Sequence, residues 1–145
     1  LFADQEIDSG RVEFSSKSPH AEMLAEYGRI DLALDPFPFN GGVTTCDALW
    51  MGVPVVTCPG ETFASRHSLS HLSNVGLTET IAHDFDEYVE LSVRLANDLD
   101  RLAGMRARLR EQVAASPLCD GPRFAANLMD RLRDVWRQWV KTDPA

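Results

Sequence analysis

Between Asp35 and Asp47 the chain gathers residues whose types and order suit an anion. They are a carboxylate, two stiffening prolines, Gly41-Gly42, then Val43, Thr44, Thr45 and a second carboxylate at Asp47. Paired glycines let the backbone turn sharply and come close to a ligand. Thr44 and Thr45 are favourable helix N-caps, and an acidic residue three positions after Thr44 completes a capping pattern. A helix is therefore expected to begin at these threonines, run to about Met51 and stop at Gly52. The N–H groups left unpaired at such a start, with the helix dipole, favour phosphate. From spacing alone, plain capping remains open as the role of both threonines and of the Asp47 carboxylate.

The flanking pattern says how such a turn is held. Residues 30–34 read as a strand ahead of Asp35, and Pro54 opens another over residues 55–57, so the glycine loop and its helix lie inside a βαβ unit. Further strand candidates centre on Val12 and Ile81. Residues 1–8 read as the tail of a helix and a loop. Ser18 with Pro19 is expected to start a helix over residues 19–27 with Met23, Leu24 and Tyr27 on one face. Thr62 is expected to cap a helix that Gly76 ends, with Leu77 making the apolar contact that follows a glycine cap. From Asp84 or Asp86, Tyr88, Leu91, Leu95, Leu99 and Leu102 repeat at helical spacing. Gly104 interrupts that face, and Met105, Leu109 and Val113 continue it. A last helix over residues 122–140 carries Phe124, Leu128, Leu132, Val135 and Trp139 as its expected buried face. Strands alternating with helices predict an α/β fold, a parallel sheet with helices on both faces, closed by the long C-terminal helices of residues 84–140. Ligands of such sheets sit beyond the carboxyl ends of the strands. The loops at residues 15–18, 35–44 and 58–62 are therefore expected to converge on one cleft.

The 145 residues suffice for a single domain with a real core. The hydrophobic share of 44% is ordinary. A formal charge of −8 argues against nucleic acid, whose backbone it would repel, but not against a nucleotide held locally at a helix start. No apolar run is long enough to span a bilayer, and no signal peptide is read. Cys46, Cys58 and Cys119 are odd in number and lack metal spacing. A reduced, cytoplasmic setting is the expectation. Because the chain begins at Leu1, it reads as a piece of something longer.

The run Phe37-Pro38-Phe39-Asn40-Gly41-Gly42, with Thr44-Thr45-Cys46-Asp47-Ala48-Leu49-Trp50-Met51-Gly52-Val53-Pro54, resembles the nucleotide-sugar-binding segment of O-GlcNAc transferase-like glycosyltransferases, a GT41-like group of bacterial type that includes the plant SPINDLY proteins. Asp31-Leu32-Ala33-Leu34-Asp35, Pro59-Gly60-Glu61-Thr62 and Ser116-Pro117-Leu118-Cys119-Asp120-Gly121-Pro122 extend the similarity, which covers residues 11–139. The resemblance implies a GT-B enzyme with two Rossmann-like domains. This chain, residues 1–145, would be the later part of the donor-binding one. The implied reaction is transfer of N-acetylglucosamine from UDP-GlcNAc to protein Ser or Thr. An acceptor protein would be recruited by an N-terminal region not included here, where relatives often carry TPR repeats. No metal or other cofactor is expected.

The same resemblance carries residue roles. Gly41, Gly42, Val43, Thr44 and Thr45 would hold the donor diphosphate. Asp47 would accept the ribose hydroxyls, for which a carboxylate is well suited because it accepts two hydrogen bonds. Some relatives have a histidine where this chain has Gly42. Similar enzymes often carry another in the helix before the Asp31 strand, where Met23 stands here and His20 lies one turn earlier. Lys17 in the first cleft loop could offset phosphate charge, and Glu61 and Thr62 match the family at the second. A surface histidine, a solvated lysine and a turn with a cap are the plain alternatives for those four residues. His67 and His71 share a helix face without a third metal ligand, so a helix face is the expected reading. Trp50, Trp136 and Trp139 read as core or domain-interface packing. No residue forms a convincing catalytic base, which places the base in the acceptor half. Other readings are an O-fucosyltransferase using GDP-fucose, a nucleotide-sugar epimerase for which Asp35 and Glu61 are the loose candidates, and a non-catalytic nucleotide-binding scaffold.

Overall fold

A computed structural model describes residues 2–142. Its frame is parallel. Strand β1 (Ala33–Leu34) pairs with β2 (Val55–Val56) in the register Ala33↔Val55 and Leu34↔Val56. The ladder continues past the strand ends, where the Asp35 N–H donates to Val56 O at 2.9 Å. On the far side of β2, Thr57 forms a parallel bridge to Ile81, with the Thr57 N–H on Thr80 O at 3.1 Å and the Ala82 N–H on Thr57 O at 2.8 Å. Three extended segments thus lie side by side, with the chain around Val56 in the middle.

The helices follow from capping and apolar spacing. Helix α1 spans His20–Glu26 and tightens into a 3₁₀ turn at Tyr27–Arg29. Helix α2 (Val43–Trp50) joins β1 to β2. It ends with the Val53 N–H on Ala48 O and the Gly52 N–H on Leu49 O, around Gly52 at φ +78°, the paired bonds of a glycine C-cap. Helix α3 (His67–Val75) ends the same way at Gly76, and Leu77 is buried beside it. Asp84 caps α4 (Phe85–Asn97) by accepting from the Glu87 N–H, and α5 (Leu99–Ala114) and α6 (Gly121–Thr142) complete the chain. The core joins Leu49 and Val53 to Val56, Leu72, Leu95 and Leu109, drawing on α2, β2, α3, α4 and α5.

Five expectations are corrected. Residues 12–14 form no strand: the Val12 N–H closes a turn on Ser9 O, and Phe14 lies in solvent. Ahead of them, two 3₁₀ turns, Ala3–Gln5 and Ser9–Arg11, replace the helix tail; Leu1 lies outside the described residues. Ser18 does not cap α1, whose N-cap is Pro19 without a side-chain bond. The long helix breaks at Asp98 and not at Gly104, because the Asp98 carboxylate accepts the Arg101 N–H and starts a new helix. The apolar face of α6 is exposed, Phe124 to 67% and Val135 to 63%. Amphipathic spacing marks a face suited to burial, and among the described elements α6 packs mainly on the turn Pro117–Cys119. No helix of the described residues is long and apolar enough to cross a membrane.

Candidate functional site

The turn between β1 and α2 is built from side chains that seize its backbone. Asp35, at the end of β1, accepts the Gly41 N–H on Oδ1 at 2.8 Å and the Thr57 hydroxyl on Oδ2 at 2.6 Å. The Gly41 carbonyl accepts from Thr45 Oγ1 at 3.0 Å and Ser68 Oγ at 3.1 Å, and those two hydroxyls lie 2.9 Å apart. The helix start itself is bare. Its N-cap is Gly42, no side chain caps it, and no acidic residue occupies the first turn. The expectation that Thr44 or Thr45 is the cap is therefore corrected. Thr45 is buried and its hydroxyl is turned back to Gly41, which draws the helix start forward to Val43. Geometry leaves the first four N–H groups of a helix without intrahelical acceptors, here those of Gly42, Val43, Thr44 and Thr45.

One cavity adjoins this start, and a second shares only Tyr27 with it. The first, of about 160 Å³, is lined by Asp35, Pro36, Gly41, Thr44, Thr45 and Tyr27. The second, of about 390 Å³, is lined by Ser15, Ser16, Ser18, Met23 and again Tyr27. Tyr27 links them, donating its hydroxyl to Thr44 O at 3.2 Å. Burial and, second, the nearby Asp47 carboxylate push the Tyr27 phenol up. Asp47 is half-buried on α2 and lines neither cavity. Met23 faces the larger one, whereas His20 is exposed at the first turn of α1. Lys17 is exposed and lines neither cavity. Thr62 is engaged in a reciprocal cap with Ser65 over Phe63–Ser65, and Glu61 is exposed beside it. The turn that follows the Cys58 loop, Phe63–Ser65, reaches the Asp35 loop: the Asn40 N–H donates to Ala64 O at 3.0 Å.

Helix α3 backs the turn. His67 stacks edge-on against Phe39 and Phe63, and the Nδ1 atoms of His67 and His71 are buried without hydrogen-bond partners. Among the described residues no group of three or more His, Cys, Asp or Glu could hold a metal ion. Burial, and next the neighbouring His67, hold the His71 imidazole below its usual range, against an opposing pull from Asp35. A histidine whose pKa is lowered on folding takes up its proton more readily in the unfolded chain. Stability is then full above the unfolded value of about 6.5 and falls as pH drops through it. The melting temperature of a His71→Gln variant is accordingly expected to fall less between pH 7.5 and 5.5 than that of the unchanged protein. Equal falls would show that His71 carries none of the dependence. Burial likewise pushes the Cys46 and Cys58 thiols up, away from the thiolate a nucleophile needs.

Sequence reasoning missed Thr57, Ser68 and Tyr27 as parts of the site, and it named Asp35 without its role in holding Gly41. The three missed residues gave no local signal, because each meets the turn through a partner 17 to 27 residues away.

Parallel strands, a glycine turn and a bare helix start beyond the first strand define a Rossmann-like α/β unit. The sequence profile of glycosyl transferase family 41 matches residues 1–128, and the chain belongs to that family. It is 45% identical over 124 residues to a probable UDP-N-acetylglucosamine–peptide N-acetylglucosaminyltransferase SPINDLY of Petunia hybrida, covering 86% of this chain and 13% of the relative. The UDP-N-acetylglucosamine–peptide N-acetylglucosaminyltransferase of Caenorhabditis elegans is 35% identical over 138 residues, covering 95% of this chain and 12% of the relative. Among solved structures, a point mutant of the Thermobaculum terrenum O-GlcNAc transferase superposes with a TM-score of 0.90 at 37% identity, covering 97% of this chain and 27% of that one. The chain thus spans only a small part of the proteins it matches.

Proposed function

We propose that this chain is the donor-binding part of a protein O-linked N-acetylglucosaminyltransferase, residues 1–145 forming one unit of a larger parent. The observation that carries the reading is the bare start of α2, free of any side-chain cap or first-turn carboxylate and open to the cavity lined by Gly41, Thr44 and Thr45. The N–H groups of Gly42, Val43, Thr44 and Thr45 hold the diphosphate of UDP-GlcNAc. Asp47 accepts the ribose hydroxyls beside Tyr27, and Lys17, His20, Glu61 and Thr62 stand at the periphery. The bond from the anomeric carbon to the diphosphate oxygen breaks, and a Ser or Thr oxygen of the acceptor protein bonds to that carbon. The hydroxyl proton passes to a base in the acceptor-side part of the parent. The share of this chain is electrostatic: fixed N–H dipoles stabilise the charge growing on the departing nucleoside diphosphate. That role calls for no metal or cofactor. The exposed apolar face of α6 suits packing against the rest of the parent, and the setting is cytoplasmic.

An epimerase reading is disfavoured, because Asp35 is buried and already bonded to Gly41 and Thr57. Incubating the full-length parent with UDP-GlcNAc and a library of Ser/Thr peptides is expected to add N-acetylhexosamine to some of them. Deoxyhexose added from GDP-fucose instead would reassign the donor. Transfer from neither would contradict the enzymatic reading.

A further inference from the structure

We propose that Asp35 is a positioning residue for the anion site, an assignment that rests on the nucleotide-binding reading above. Asp35 is 6% exposed and fixed on all sides. Its own N–H is in the β ladder, its carbonyl accepts the Tyr88 hydroxyl at 3.1 Å, and each carboxylate oxygen has a donor, the Gly41 N–H on one and Thr57 Oγ1 on the other. Carboxylate acceptors make strong hydrogen bonds, and here that strength is spent on one peptide group. Turning the Gly41 N–H inward removes it from the ligand side, so the groups that remain to face a diphosphate are those of Gly42, Val43, Thr44 and Thr45. Thr45 and Ser68 grip the other end of Gly41, its carbonyl, so both backbone polar atoms of this glycine are set by side chains.

A negative charge beneath an anion site repels the ligand, and both carboxylate oxygens of Asp35 are already taken by the Gly41 N–H and the Thr57 hydroxyl, so Asp35 does not contribute as a ligand contact. Its benefit is geometric preorganisation. An asparagine keeps the Oδ1 acceptor for Gly41, and its amide can donate to Thr57 Oγ1. The geometry is therefore expected to survive loss of the charge but not loss of the acceptor.

The test is titration of the full-length protein with UDP and GDP, read well below the melting transition of each variant, where a merely structural role leaves affinity unchanged. Asp35→Ala is expected to bind the preferred nucleotide about tenfold or more weakly, while Asp35→Asn stays within about threefold of the unchanged protein. Thr57→Val, which frees the second carboxylate oxygen, is expected to weaken binding about threefold, and it serves if Asp35→Ala does not fold. Unaltered affinity in Asp35→Ala, or in Thr57→Val where Asp35→Ala does not fold, would overturn the assignment, as would an Asp35→Asn variant as weak as Asp35→Ala. If the unchanged protein binds neither nucleotide, the nucleotide reading itself fails and the role of Asp35 falls with it. Binding by the unchanged protein separates the two failures.

Discussion

Gly41→Ala is expected to weaken nucleotide binding about a hundredfold and to lower stability by about 1–3 kcal/mol. A Cβ at this position would collide with Thr45 Oγ1, lie 2.9 Å from Thr44 Oγ1 and touch Asp35 Oδ1 at 3.4 Å. Thr44 is exposed and can turn away, but Thr45 is buried against Ser68 and Asp35 is held by Thr57, so neither can retreat cheaply. The loop must move instead, which carries the first N–H groups of α2 out of line. Gly28→Ala is the control, because a Cβ there meets nothing within 4 Å. Denaturant unfolding and nucleotide titration of both variants check this. A Gly41→Ala protein that binds as tightly as the Gly28→Ala one would show that the close approach at Gly41 has no part in binding.

Asp47→Ala is expected to cost about 10- to 100-fold in nucleotide affinity, the worth of hydrogen bonds to a charged acceptor. Its effect on stability is expected to stay below about 1 kcal/mol. Asp47 lies beyond the first turn of α2, where the helix dipole has largely faded. A drop in melting temperature with unaltered affinity would assign the residue to the helix and not to the ribose.

Much of this arrangement is legible in the amino-acid order because it is locally determined. Gly52 and Gly76 end their helices by adopting left-handed backbone, and Asp84 caps α4 with its own side chain. The βαβ unit around Gly41-Gly42 follows from a strand-like run, a turn and a helix start in succession. What is not legible depends on distant partners. The helix start moves from the threonines to Gly42 because Thr45 turns back to Gly41 and meets Ser68, 23 residues away. The work of Asp35 needs Thr57 and Tyr88, 22 and 53 residues on. Residues 12–14 have strand composition, but a strand requires a neighbour. The stripe from Phe124 to Trp139 announces a face fit for burial without naming what covers it.

Calorimetric titration of the full-length protein with UDP, and in parallel with GDP, bears most directly on whether the start of α2 holds a nucleotide. UDP is expected to bind more tightly than GDP, and Asp47→Ala to lose most of that affinity. Preference for GDP would keep the site and change the sugar donor, whereas binding of neither nucleotide would contradict a nucleotide site at Gly41–Asp47.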